Sequence, residues 1–268
     1  MKILLPIDFS ETSLNAARWI VSFLKESNQN HQIYLLHCIV TRHKLTSFNK
    51  HEDVEFEIAK RSMVNTIEDL KSIDPLLTYE WAIVRDDPNY YLVEFASKRD
   101  IDWIVIGTKG LTNIKELTVG SVANYCIQNS LKPVFAIPPD SKFEDMKTVV
   151  LGIEDSIMDD SKSLDPLLTI ARMSSINIHL AHVKEASDIR QDIKSGYAEI
   201  FAPLNFSYTE LEYNKSISQS LSKYCNEIDA DLMCVIHKQR GWISSIFHNS
   251  ISRNKLFDLQ IPTLILKE

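Results

Sequence analysis

Three glycines carry the strongest chemical signal in this sequence. Gly107, Gly110 and Gly120 are the only glycines in the first half of the chain, and all fall in one stretch, GTKGLTNIKELTVGS. The pattern is Gly-x2-Gly-x9-Gly-Ser. It stands directly after the apolar run Trp103–Ile106 and leads into an amphipathic stretch that ends near Asn129. A strand, a glycine loop and a helix in that order suit an anion. Gly107 is expected to let the chain turn off the strand end, and Gly110 to let backbone approach a ligand without a Cβ. Gly120 and Ser121 open the helix, where free N–H groups and the positive end of the helix dipole favour phosphate. No Gly-Lys-Ser/Thr P-loop occurs, and the first strand has no Gly-x-Gly-x2-Gly turn, so ordinary P-loop hydrolysis and hydride transfer recede.

Asp8 ends the first apolar run, Lys2–Ile7. Its carboxylate suits a ribose hydroxyl or a metal-bound water, and equally the cap of the next helix; both roles stay open. His37 lies inside an apolar strand pattern and reads as a satisfied core residue. His43 and His51, with Glu52 and Asp53, read as a solvated loop rather than a metal site. Glu154-Asp155 and Asp159-Asp160 look like an acidic cluster, in which Asp159 and Asp160 read as acidic groups at a helix start. His237, Lys238 and Arg240 form a small basic patch, and Trp242, Ile246 and Phe247 read as core or interface. No nucleophile with a supporting base is present.

Alternating elements must position these residues. Lys2–Ile7, Gln32–Val40, Trp103–Ile106 and Val134–Ile137 are continuous apolar runs, as in parallel strands covered on both faces. Leu77–Val84 is a weaker strand. Ser10–Ser27, Glu52–Ile73, Pro88–Lys98 and Val119–Asn129 have helical periodicity. Strand and helix alternate, which predicts βαβ units and a parallel sheet.

The plan then repeats. Thr148–Ile153 matches Lys2–Ile7, and Ile178–Val183 matches Ile33–Ile39 with His182 over His37. Asp229–Val235 matches Asp100–Ile106, and Ile261–Leu266 matches Lys132–Ile137, both at an offset of 129 residues. The glycine pattern decays in the second copy. Ile236 stands for Gly107, Gln239 for Gly110, Asn249 for Gly120 and Glu154 for Asp8, while Ser121 persists as Ser250. A β-branched Ile236 is expected to obstruct phosphate. The expected domains are 1–140 and 145–268, joined by a polar linker with two prolines.

Composition narrows the function. The 268 residues carry a net charge of −7, with 44% hydrophobic and 24% charged residues. Neither half has a basic stripe, which argues against nucleic-acid binding by counterion release. No run approaches the roughly 20 apolar residues that span a bilayer. Cys38, Cys126, Cys225 and Cys234 form no Cys-x2-Cys pair and read as reduced thiols of a cytoplasmic protein.

Pro6-Ile7-Asp8-Phe9-Ser10-Glu11, Leu35-Leu36-His37-Cys38, and the glycine pattern followed by Lys132-Pro133-Val134 resemble the universal stress protein family, as a tandem pair over nearly the whole chain. The resemblance implies an α/β fold of two tandem Rossmann-like domains. Each would be a five-stranded parallel sheet flanked by helices, the two forming an intramolecular pseudo-dimer. It implies a regulatory stress-response module that binds ATP, with AMP or ADP as alternatives and Mg2+ as a companion ion. Pro6, Ile7 and Asp8 would lie by adenine and ribose, with backbone contacts from Cys38. Gly107, Gly110, Gly120, Ser121 and Val122 would hold ribose and phosphates. The second copy would be a degenerate, non-binding partner. Further partners are an unidentified protein and, if the chain is not monomeric, a second copy of itself. A scaffold without nucleotide, or a slow ATPase, are the alternative readings. Asp86-Asp87-Pro88 departs from the glycine the family often has before its third helix.

Overall fold

The computed structural model describes residues 1–27, 29–40, 50–108, 119–153, 161–184, 193–201, 204–237 and 261–268. The chain divides into two compact units that part between Phe143 and Glu144.

The first unit runs β1 (Lys2–Pro6), α1 (Glu11–Lys25), β2 (Gln32–Cys38), α2 (Lys50–Ile73), β3 (Thr78–Val84), α3 (Pro88–Lys98), β4 (Trp103–Gly107), α4 (Ser121–Asn129) and β5 (Val134–Ile137). Its strands pair in parallel in the order β3-β2-β1-β4-β5. The second unit runs β6 (Thr148–Ile153), a 3₁₀ turn at Ser161–Leu164 leading into α5 (Asp165–Met173), β7 (Asn177–Lys184), α6 (Ile193–Phe201), β8 (Phe206–Glu212), α7 (Ile217–Glu227), β9 (Leu232–His237) and β10 (Thr263–Lys267). Its parallel order is β8-β7-β6-β9-β10. Each unit is thus the five-stranded parallel sheet with helices that the sequence implies.

Side-chain alternation sorts the first sheet into two faces. Leu4, Tyr34 and Ile104 are in register and share one face, where Tyr34 meets Phe95 of α3 at 6.0 Å between ring centroids. The residues between them point to α1. There Trp19 packs on Phe135 at 6.2 Å, and Trp103 meets Phe135 at 5.1 Å. Trp19, Ile20, Val21, Phe23 and Leu24 of α1 are all buried. At ~1.5–3 kcal/mol per large apolar side chain, that face dominates the stability of the helix.

One local device recurs 129 residues apart. Asp100 and Asp229 both take a left-handed φ of 49° where α3 and α7 end. In both places the next amide closes the helix, Ile101 N–H on Ala96 O at 3.0 Å and Ala230 N–H on Cys225 O at 2.9 Å. Aspartate tolerates this conformation because its short side chain hydrogen-bonds locally. Two residues on, Asp102 accepts from Lys2 N–H and Asp231 from Thr148 N–H, each at 2.8 Å, so each anchors the start of its unit's first strand. The units differ most where the sequence offset changes. The 24-residue α2 has the nine-residue α6 as its counterpart.

Candidate functional site

The site grows from the carboxyl ends of β1, β2 and β4. In an open parallel sheet, ligands sit there, at the point where the chain switches from one side of the sheet to the other. β1 and β4 are adjacent at the centre, and their connections leave toward α1 and α4 on opposite faces.

A cavity of about 330 Å3 opens at this point. Pro6, Ile7, Asp8, Cys38, Gly107, Gly120, Ser121 and Val122 all line it. These are eight of the nine site residues expected from the sequence; Gly110 lies outside the described residues. Ser13, Leu36, His37, Val40, Pro88, Leu92, Ile106 and Ala123 complete the wall. Pro88 and Leu92 belong to α3, so of Asp86-Asp87-Pro88, which stands where the family often has a glycine, Pro88 supplies wall. Asp87 caps α3 by accepting from Asn89 N–H at 2.9 Å, and Pro88 starts the helix, where a missing N–H costs nothing.

Asp8 does not cap α1. Ser10 does, its Oγ accepting from Ser13 N–H at 3.2 Å. Asp8 is itself held. Its Oδ1 accepts from Ser10 N–H at 3.0 Å and from Ser10 Oγ–H at 2.6 Å, and Oδ2 has no partner among the described residues. Phe9, between them, takes a left-handed φ of 62°, which is rare and strained for a bulky residue. Its ring packs on His37 at 4.6 Å, and the His37 Nδ1–H donates to Ile7 O at 2.7 Å. His37 is therefore satisfied, as expected of a structural histidine, but half-buried at the cavity wall rather than in the core.

Gly107 is needed for a different reason from the one the sequence suggests. No described glycine has a positive φ, so no special turn conformation requires it. A Cβ at Gly107 would instead lie 2.7 Å from Thr12 O and 2.8 Å from Thr12 Cγ2, in the first turn of α1. Gly107 lets α1 lie close on β4. The second unit shows the converse. A Cβ on Gly152 of β6 would meet Leu221 of α7 at 2.8 Å, and Gly152 is in register with Val235. Ile236 thus points to the face opposite α7 and is buried there. Its side chain fills the layer in which Gly107 leaves room for a helix.

Gly120 is the N-cap of α4, with φ −59° and no side-chain cap. Its own N–H is satisfied by Thr108 O at 2.6 Å, and its carbonyl accepts from Asn124 N–H at 2.9 Å. The next three amides, of Ser121, Val122 and Ala123, precede the first internal helix bond and find no acceptor among the described residues. All three residues line the cavity.

The ionisable side chains among these wall residues are Asp8, His37 and Cys38. Burial, then Asp86 and Asp87, push the Cys38 thiol up to about 12, so it stays protonated and unreactive at neutral pH. Any negative charge of a ligand would meet helix amides rather than a lysine or arginine of this wall. His43 and the side chains of His51, Glu52 and Asp53 lie outside the described residues. So do Glu154, Asp155, Asp159, Asp160, Lys238, Gln239, Arg240, Trp242, Ile246, Phe247, Asn249 and Ser250. His237 is half-exposed at the end of β9.

The family model for the universal stress protein family matches residues 1–138, just over half of the chain. The chain belongs to the universal stress protein family. Universal stress protein MJ0577 of Methanocaldococcus jannaschii is 30% identical over 155 residues, which cover 51% of this chain and 93% of that protein. Universal stress protein YxiE of Bacillus subtilis is 26% identical over 147 residues, covering 51% and 97%. A crystal structure of a universal stress protein from Archaeoglobus fulgidus has the same fold over 100% of this chain and 96% of its own, with a TM-score of 0.74 at 17% identity. The family and the fold are thereby shown. No described helix is long and apolar enough to cross a membrane.

Proposed function

We propose that the first unit binds an adenine nucleotide, ATP in the first place, and acts as a nucleotide-dependent regulatory module of the stress response. One observation carries this reading: a single cavity is lined by Asp8, whose Oδ2 has no partner among the described residues, and by the first three residues of α4, whose amides find no acceptor among them. A nucleotide has the matching groups, hydroxyl donors on its ribose and anionic oxygens on its phosphates. The apolar surfaces of Pro6, Leu36, Val40, Pro88 and Leu92 suit a flat base between them. Ser121, Val122 and Ala123 would take the phosphates, and Asp8 Oδ2 the ribose. AMP or ADP would use the same ribose contacts with fewer phosphate contacts. Mg2+ would enter with the phosphates, since no three His, Cys, Asp or Glu side chains among the described residues converge to hold a cation by themselves.

In this reading residues 1–140 are the binding domain and residues 145–268 a degenerate copy. Ile236 at the position of Gly107, and Gly152 at that of Pro6, support the second assignment. The chain works in the cytoplasm, where ATP is abundant, and transmits occupancy to a protein partner. Nucleotide becomes a switch only through different affinities for two states of the protein.

The test is a thermal melt with millimolar ATP and Mg2+. Ligand at ~100 times its dissociation constant stabilises the folded state by roughly 2.7 kcal/mol, a clear rise in Tm. No rise, with no nucleotide released from the denatured protein, overturns this reading in favour of a scaffold without ligand.

A further inference from the structure

We infer that Ser10 is a positioning residue of the nucleotide site, presenting Asp8 with one oxygen that has no partner among the described residues, so that the site demands a hydrogen-bond donor from its ligand at that point. This rests on the nucleotide reading and deepens it. Ser10 makes three hydrogen bonds at once. Its N–H and Oγ–H both go to Asp8 Oδ1, at 3.0 and 2.6 Å, while its Oγ accepts from Ser13 N–H at 3.2 Å. Two donors on Oδ1 fix the carboxylate's orientation. Oδ2 then remains as an acceptor toward the ligand. A carboxylate so held takes an O–H or N–H and repels a carbonyl oxygen or a phosphate.

The surrounding turn explains why Ser10 can do this. Ile7 is fixed from both sides, by its N–H on Leu36 O at 2.9 Å and by the His37 Nδ1–H on its carbonyl at 2.7 Å. Phe9, at φ 62°, reverses the chain and brings Ser10 back over Asp8. Ser10 is buried, so water does not compete for its hydroxyl. The contact that starts α1 is therefore also the one that aims Asp8. Two ligand groups have the required donor chemistry, a ribose hydroxyl and the exocyclic amine of adenine.

Three variants separate aiming from capping. Ser10→Thr keeps both the hydroxyl donor and the cap. Ser10→Asp keeps a good cap but has no proton to donate and sets a second carboxylate against Asp8. Ser10→Ala loses both. ATP affinity is measured by calorimetry on the full chain, beside Tm without ligand. Ser10→Thr is expected to bind ATP like the wild type, and Ser10→Asp to bind roughly tenfold more weakly, a charge-assisted hydrogen bond's worth. In an Asp8→Ala background Ser10→Asp is expected to have no further effect, because Ser10 acts through Asp8. Additive losses overturn the inference, as does unchanged binding by Ser10→Asp. Inosine triphosphate and the 2′- and 3′-deoxy analogues of ATP identify the donor: the analogue lacking it binds weakly to the wild type and loses nothing more in Ser10→Asp. Three-bond NMR couplings of Asp8 decide independently of any ligand. A single χ1 rotamer in the wild type that becomes averaged in Ser10→Ala supports positioning, and a rotamer unchanged by Ser10→Ala overturns it. If the wild type binds no ATP, the nucleotide reading falls while the couplings still judge Ser10.

Discussion

Gly107 shows how a residue can be singled out for the right place and the wrong cause. Its missing side chain faces Thr12 of α1, not the cavity. Gly107→Ala is therefore expected to cost ~1–3 kcal/mol of stability, because the added carbon meets backbone that cannot swing aside. Urea unfolding reads this directly. A variant as stable as the wild type but unable to bind nucleotide would restore the original explanation. The sequence could not choose between the two, because strand parity against a helix becomes visible only once the sheet is assembled. Asp8 poses the same difficulty. Its spacing suited a cap or a ligand, and only the contact between Ser10 Oγ and Ser13 N–H leaves Asp8 free of capping. Leu36, Val40, Pro88 and Leu92 were missed as wall residues because an apolar side chain beside a ligand and one in a core look alike in sequence. Pro88 alone carried a signal, as a helix start facing the strand ends.

At the scale of elements, the proposed phosphate contacts belong to the start of α4. Three amides at its start are unsatisfied among the described residues. Ser121→Pro removes one of them at the first helical position, where proline is well tolerated, and the extended ψ of 154° at Gly120 suits the residue before a proline. Stability is expected to change by less than about 0.5 kcal/mol. ATP affinity is expected to fall roughly tenfold while adenosine, with no phosphate, binds as before. Titration of both ligands against both proteins checks this; equal losses for ATP and adenosine would mean that α4 does not hold the phosphates. Most elements were legible because their signals were strong. Continuous apolar runs marked the buried strands, and Pro88 marked the start of α3. The segment from 185 to 228 gave little. Its strand β8 lies at the edge of its sheet, where polar and apolar residues mix, and its helix α6 spans only nine residues.

At the scale of the whole molecule, two histidines tie folding to pH. His31 is held below the usual histidine range mainly by burial, then by the Met1 amine, against an opposing pull from Asp74. Burial alone lowers His179. A lowered folded value means that the unfolded chain binds more protons. The stability these groups contribute is thus full above about pH 6.5 and lost as the pH falls toward their folded values. Urea midpoints at pH 7.5 and 5.5 should show a weaker fold at the lower pH, with part of the slope removed by His31→Gln. A fold that strengthens on acidification would contradict this assignment.

The two units share one strand order, and the proposed site lies in the first unit. Calorimetric titration of the full chain with ATP measures this most directly. One nucleotide per chain, bound roughly tenfold more weakly after Asp8→Ala, is the predicted result. Two equivalent sites per chain, or an affinity unchanged by Asp8→Ala, would contradict a single nucleotide site built on the first unit.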